Sequence, residues 1–192
     1  MQNPFDLFNT WYNEELQVST VDIPQACTLS TIGLDSYPNA RSVSLKDVRD
    51  NAFLVTGPIN SRKGMEMLHT PKAALTFWWT ETKRQIRIQG DAVLLPSTEA
   101  DTYFNNRDHD FQLVTELSEQ GAPIEDISLL ENKFLEERTK RSNEAIPRPD
   151  FWGGFLIKPI RIEFMQFEAN RFHKRTLCEF VDGEWMTTTL QP

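Results

Sequence analysis

Apolar positions change their spacing several times along the chain, and each change marks an element. Between residues 4 and 17, Phe5, Phe8, Trp11 and Tyr12 recur at helical intervals, which gathers them on one face of an amphipathic helix. Asn3 can cap this helix, and Pro4 suits its first position, where a backbone N–H would have no partner anyway. Its aromatic face fits core packing, a subunit contact or a lid over a site. From residue 26 the pattern turns to short β-branched runs, "ACTLSTI" (26–32), "ARSVSLKDV" (40–48) and "AFLVT" (52–56), with the turn residues "GLDSYP" between the first two. These predict strands. "SRKGMEMLHT" (61–70) predicts a short helix that closes at His69 before Pro71, since proline cannot continue it. "AALTFWW" (73–79) and "RQIRIQGDAVLL" (84–95), joined by "TETK", predict a hairpin. Alternation along the second puts Ile86 and Ile88 on one face and Gln85, Arg87 and Gln89 on the other.

The middle of the chain returns to helical spacing. "STEADTYFNNR" (97–107) opens with Ser97 as an N-cap and with Glu99 and Asp101 in its first turn, where negative charge favours the helix. "SLLENKFLEERTKR" (128–141) sets Leu129, Leu130, Phe134 and Leu135 along one face. A proline-rich joint, "AIPRPDFWGGF", leads back to strands: "FLIKPIRIEFMQF", "RTLCEFV" and "EWMTTTL", with turns at Glu168–Asn170 and Asp182-Gly183. Strands, helices, then strands predict a mixed β-barrel/α (α+β) architecture, antiparallel, with helices inserted between barrel strands. We read residues 1–192 as one domain, with an N-terminal helix within 1–20, a helical insertion over 97–142 and C-terminal strands over 151–192.

Charge narrows the function. The chain carries 20 basic and 28 acidic residues, a formal charge of −8, so no broad positive footprint exists for nucleic acid. Any basic cluster therefore serves a local anion. Cys27 and Cys178 are too few for a disulfide framework, and no Cys or His spacing suggests a metal. The N-terminus lacks a basic start and an apolar stretch, and no window approaches the roughly 18 apolar residues of a membrane span. These features predict a soluble, cytoplasmic protein. The 13 Phe and 5 Trp are generous, which places some of them at an interface or a ligand pocket.

Four basic groups interrupt the acidic background: Arg41 with Lys46, Arg62 with Lys63, Arg84 with Arg87, and Arg171, His173, Lys174 and Arg175 in "RFHKR". An isolated pair of this kind is usually a solvated surface charge. Arg62 and Lys63 stand at a helix start, where unpaired N–H groups and a partial positive charge already attract phosphate. Against this, Ser61 can simply cap the helix while both cations face water. No Walker-type loop is present, so a nucleoside triphosphate is not implied. No Gly-x-Ser-x-Gly elbow appears, neither cysteine has a local histidine, and His109 lies in a polar "RDHD" segment. Strand alternation through "RFHKR" would put Arg171, His173 and Arg175 on one face, a stripe fit for an anion or an electron-rich ring.

Taken together, "RSVSLK" (41–46), "SRK" (61–63), "RQIRIQG" (84–90), "YFNNR" (103–107), "FWGGF" (151–155) and "RFHKR" (171–175) stand in an order and spacing that resembles the pyridoxamine/pyridoxine 5′-phosphate oxidases, from about residue 25 to the C-terminus. The resemblance implies an FMN-binding split β-barrel, a homodimer with two flavin sites at its interface. It implies that Arg41, Val43, Leu45 and Lys46, with Arg62 and Lys63, hold FMN, mostly through its phosphate. Gln85 would contact the isoalloxazine ring, and Gln120 and Arg175 would reach the flavin from the other subunit. Lys46, Tyr103 and Arg107 would grip the substrate phosphate, with Arg171 and His173 as the catalytic pair beside the substrate ring. The implied activity oxidises pyridoxamine or pyridoxine 5′-phosphate to pyridoxal 5′-phosphate while O2 becomes H2O2. Two alternatives keep the fold: a flavin oxidase of another reduced ring, of phenazine-precursor type, and a non-catalytic FMN- or pyridoxal-phosphate-binding protein. The chain departs from the family pattern at Thr56 and Gly57 (usually Tyr-Thr), at Phe111 and Gly121 (each usually Ser), at Met165 (usually Trp) and at Lys174 (usually Asp). Phe111 matters most, because it removes a hydroxyl from the substrate-phosphate cluster and adds apolar bulk.

Overall fold

The computed structural model describes residues 3–142 and 144–192. The chain opens with α1 (Pro4–Val18), capped by the Asn3 side chain, which accepts from the Phe5 N–H at 2.9 Å. Strands β1 (Ala26–Ile32), β2 (Pro38–Ser44), β3 (Asp47–Arg49) and β4 (Ala52–Pro58) follow. Helix α2 (Arg62–His69) leads to the hairpin of β5 (Lys72–Trp79) and β6 (Arg84–Leu94). Three helices come next, α3 (Ser97–Asn105), α4 (His109–Leu117) and α5 (Ile127–Lys140). The chain ends in β7 (Trp152–Gln166), β8 (Lys174–Val181) and β9 (Glu184–Leu190). No helix among the described residues is long and apolar enough to cross a membrane.

All strand pairs are antiparallel, in the order β2-β1-β5-β6-β7-β4-β3, with β8 also on β7 and β9 on β8. The 15-residue β7 decides the shape. One side pairs with β6 along nearly all of its length; the other pairs with β4 over Trp152–Ile157 and then with β8 over Arg161–Gln166. The sheet therefore forks along β7. A register shift between Gln89 and Gly90 bends it, as β-bulges do. A Cβ on Gly90 would sit 2.1 Å from the Lys158 carbonyl oxygen, so the close strand approach there requires glycine.

Of the roles open to the aromatic face of α1, core packing is the one observed. Phe8 is fully buried, with ring centroids of Phe53, Phe77 and Tyr12 at 4.8, 5.3 and 5.5 Å. Trp11 meets Phe164 edge-on and carries the Arg84 guanidinium 4.5 Å above its ring. Near the helix end the buried Glu15 carboxylate accepts from the Thr82 N–H and hydroxyl, at 3.1 and 2.7 Å, tying α1 to the β5–β6 turn. Truncating a ring as enclosed as Phe8 costs about 3–5 kcal/mol. A second core lies under α3 and α4, where Leu54, Phe104, Leu113 and Trp152 pack together. Helix α5 buries none of its residues fully and rests on α4 from outside.

Three local expectations are corrected. The run 40–48 is not one strand: it breaks at Leu45 and Lys46, whose N–H groups donate to the carbonyls of Gln25 and Leu54 as the chain crosses between strands. Pro96, not Ser97, is the N-cap of α3; the Ser97 hydroxyl instead accepts from Arg148 Nη2 at 2.6 Å. His109 begins α4, a helix the sequence reading did not separate from the polar "RDHD" segment.

Candidate active site

A cleft of about 1040 Å³ opens between β2, the end of β4, the start of α2, and the facing ends of α3 and α4. It gathers eight of the residues singled out from sequence: Arg41, Val43, Lys46, Arg62, Lys63, Tyr103, Arg107 and Gln120. The break after β2 is what turns Lys46 into it. Leu45 is not part of the lining: its side chain lies in the core, 4% exposed. Gly64 lets α2 begin this close to the end of β4, since a Cβ there would meet the Ile59 carbonyl oxygen at 2.2 Å.

A carboxylate organises the cations. Glu66, on the inner face of α2, is fully buried. Its Oε2 accepts from Thr31 Oγ1 at 2.5 Å and from Arg41 Nη2 at 2.8 Å; its Oε1 accepts from Arg62 Nε at 2.9 Å and from Asn39 Nδ2 at 3.0 Å. Arg41 Nη1 also donates to the Thr31 hydroxyl at 2.5 Å. Burial pushes the Glu66 pKa up, but these four hydrogen bonds outweigh it and bring the carboxyl from 4.5 down to about 2. Two guanidinium planes are thereby fixed at the rim, with donors left over for a ligand.

Lys63 and Arg107 differ, because among the described residues their hydrogen-bond partners are all neutral. Lys63 Nζ donates to Ser61 Oγ at 3.1 Å and to Gln120 Oε1. Burial, with Arg41 nearby, lowers the Lys63 pKa. Arg107 Nη2 donates to the Phe111 carbonyl at 3.2 Å, and its guanidinium lies 5.1 Å above the Trp152 ring. Burial lowers its pKa too. Half-buried cations without a counter-charge are costly unless an anion joins them. Ser61 does not cap α2 through its side chain; the hydroxyl donates to the Pro58 carbonyl at 2.6 Å, so it is not spent on the first N–H groups of the helix. The Tyr103 hydroxyl donates to Asp47 Oδ2 at 2.8 Å, and burial followed by that bond raises its pKa. Phe111 and Val114, 58% and 45% exposed, form an apolar wall on α4.

The other residues singled out from the sequence lie elsewhere on the chain. Gln85, Met165 and Arg175 are register partners across β6, β7 and β8. Arg175 is held by the buried Glu163 carboxylate, through Nε at 2.8 Å and Nη2 at 2.7 Å, and Arg87 reaches the same carboxylate at 3.2 Å. Arg171 and His173 are not on the strand, so the alternation argument fails there. β8 starts at Lys174, and Arg171 adopts a left-handed φ of 68° in the preceding turn. His173 Nδ1 accepts from the Glu168 N–H at 3.1 Å, which leaves the neutral ring's proton on Nε2. Gln120, which the resemblance assigns to the other subunit's flavin, stands beside Lys63 of its own chain.

Sequence reasoning missed Glu66, Glu163 and Asp47. The first could have been found from the Arg62–Glu66 spacing of four on a helix, which brings opposite charges together. Glu163 and Asp47 carry no comparable local signal.

The forked antiparallel sheet with its inserted helices and cationic cleft defines a split β-barrel protein. Residues 14–141 match the model of the family "Pyridoxamine 5′-phosphate oxidase", and residues 152–192 match the "Pyridoxine 5′-phosphate oxidase C-terminal dimerisation region". A pyridoxine/pyridoxamine 5′-phosphate oxidase of Nostoc punctiforme is 40% identical over 99% of this chain and 89% of its own. The chain belongs to the pyridoxamine 5′-phosphate oxidase family. Among solved structures, PhzG from Burkholderia lata 383, in complex with tetrahydrophenazine-1-carboxylic acid, superposes with a TM-score of 0.93 at 29% identity, covering 100% of this chain and 94% of that one. A pyridoxamine 5′-phosphate oxidase-related, FMN-binding protein from Nostoc punctiforme shares the fold, with a TM-score of 0.81 at 17% identity over the whole of both chains.

Proposed function

We propose that the protein is an FMN-dependent oxidase that converts pyridoxamine 5′-phosphate (taking up water and releasing ammonia) or pyridoxine 5′-phosphate to pyridoxal 5′-phosphate, with O2 reduced to H2O2. The observation that carries this reading is the pair of half-buried cations, Lys63 and Arg107, held in one cleft against neutral partners only among the described residues. One suits the cofactor phosphate and the other the substrate phosphate. The donor set fits FMN: the α2 N-terminus, the Arg41 and Arg62 forks and the Lys63 ammonium converge on one end of the cleft, as phosphate recognition requires. The backbone through Val43 and Leu45 runs alongside. FMN would supply the two-electron redox chemistry; the protein contributes binding, orientation and electrostatics.

Lys46, Tyr103 and Arg107 anchor the substrate phosphate, a remote group whose binding holds the reacting carbon in place. Tyr103 must turn its hydroxyl from Asp47 to do so. Gln85, Arg171, His173 and Arg175 lie outside the cleft of their own chain, and the matched dimerisation region contains three of them. In a homodimer they complete the partner's cleft. There Arg171 orients the substrate ring, and His173, with a proton on Nε2, can give one beside it. Gln120 serves from its own chain, next to Lys63.

A second reading is favoured by Phe111 and Val114, which wall the substrate end with apolar surface. Together with the likeness to PhzG, they suit a reduced tricyclic ring. Protein reconstituted with FMN and mixed aerobically with pyridoxamine 5′-phosphate separates the two. Flavin bleaching that recovers in air, with peroxide and aldehyde released, supports the first reading. Bound flavin that stays oxidised with this substrate but bleaches with tetrahydrophenazine-1-carboxylic acid supports the second.

A further inference from the structure

Trp78 is 61% exposed on β5, in a sheet whose other tryptophan there, Trp79, is buried at 3%. Its backbone partner on β6 is Gln85; Gln85 pairs with Met165 on β7, and Met165 pairs with Arg175 on β8. Side chains opposite one another in a sheet point to the same face. Trp78, Gln85, Met165 and Arg175 therefore form one outward row across four strands. The row continues from the region matched to dimerisation, which supplies Met165 and Arg175. Trp78 is not loose. Its ring meets Phe167 at 4.8 Å between centroids, and Phe167 meets the His173 ring at 5.1 Å. Three aromatic rings are thus stepped along the edge of the row, ending at the residue assigned beside the substrate ring.

We propose that Trp78 is part of the ring-binding wall of the active site, stacking against the flat flavin ring whose phosphate is held in the cleft of a second copy of this chain. The inference rests on the FMN reading above. Met165 is narrow and flexible and offers no rigid plane to an aromatic ligand. An exposed indole in the same row, in contact with Phe167, offers one, with a large apolar face held at little entropic cost. The phosphate end of the ligand and its ring end are then read by different chains, the first by charge and the second by stacking. Trp78 touches nothing at the phosphate end, so the two contributions separate in experiment.

The test compares the wild-type dimer with Trp78→Leu and Trp78→Phe. FMN is titrated by the quenching of its fluorescence, inorganic phosphate is titrated by competition for the same cleft, and the oligomeric state is measured at the same concentrations. Trp78→Leu weakens FMN by about tenfold, the scale of losing one aromatic stack, shifts the visible band of the bound flavin, and leaves the affinity for inorganic phosphate unchanged. Trp78→Phe restores most of the loss. FMN affinity within twofold of wild type in Trp78→Leu overturns the inference while leaving the flavin reading intact. An equal loss for inorganic phosphate, or dissociation of the dimer, also overturns it, since Trp78 would then be supporting the fold or the subunit contact. A wild-type protein that binds inorganic phosphate but not FMN removes the flavin reading itself, and the inference with it.

Discussion

Replacing Glu66 by Gln keeps the size of the side chain but deletes the charge that Arg41 and Arg62 share. The carboxyl is fully buried and its pKa falls from 4.5 to about 2. At about 1.36 kcal/mol per pKa unit, the ionised form contributes about 3 kcal/mol to folding at neutral pH. Breaking a buried ion pair from one side gives the same range, about 3–5 kcal/mol. The sign follows from the direction of the shift. The folded pKa lies below the unfolded one, so the stabilisation is complete above about pH 4.5 and is lost as pH falls through 2. At pH 3 less than half of it should remain. Urea unfolding of wild type and Glu66→Gln at pH 7 and pH 3 measures both values, with unchanged m-values as the control. A difference below 1 kcal/mol at pH 7, or one that does not shrink by pH 3, would refute the assignment of Glu66 as the charge that holds the cleft together.

Lys63→Met should weaken FMN by tens of fold, the loss of a charged hydrogen bond worth about 1.5–3 kcal/mol; flavin titration within twofold of wild type would remove Lys63 from the phosphate site. Phe111→Ser should raise kcat/KM for pyridoxamine 5′-phosphate by up to about fivefold, as one added hydrogen bond of about 1 kcal/mol allows, and steady-state assays showing no gain would place Phe111 outside the phosphate subsite. The Cys27 thiol is pushed up to about 12 by burial, and thiolate is the reactive form. Iodoacetamide at pH 8 should leave Cys27 unmodified in the native protein and label it in urea, as read by mass spectrometry; rapid native labelling would contradict the burial described for it.

The elements with strong periodicity were legible from the residues. The strand at 26–32 and the strand at 184–190 fall on the predicted boundaries, and the aromatic face of α1 is where its spacing put it. What escaped was set by tertiary contacts. The break at Leu45–Lys46 exists because those two N–H groups find the carbonyls of Gln25, just before β1, and Leu54, on β4, and nothing local in "SVSLKDV" marks it. The turn conformation of Arg171 likewise overrode an alternation that looked strand-like. For the site, cations were visible against an acidic background, whereas their carboxylates were not. Glu66 and Glu163 are two acids among 28; the i,i+4 spacing to Arg62 hints at the first, and only burial singles out the second.

The forked pairing of β7 has a genetic consequence. Gly154, beside the cleft wall of β4, and Met165, in the outward row, are about eleven residues apart on this strand, at most about 36 Å at about 3.3 Å per residue. The chain carries two half-sites on one strand, bent between them, and in the proposed homodimer each is completed by the other copy. Two defective chains can then repair one another. Co-expressing a Lys63→Met chain with an Arg175→Ala chain yields mixed dimers in which one site carries both lesions and the other carries neither. Activity should return to such mixtures although each variant alone is impaired.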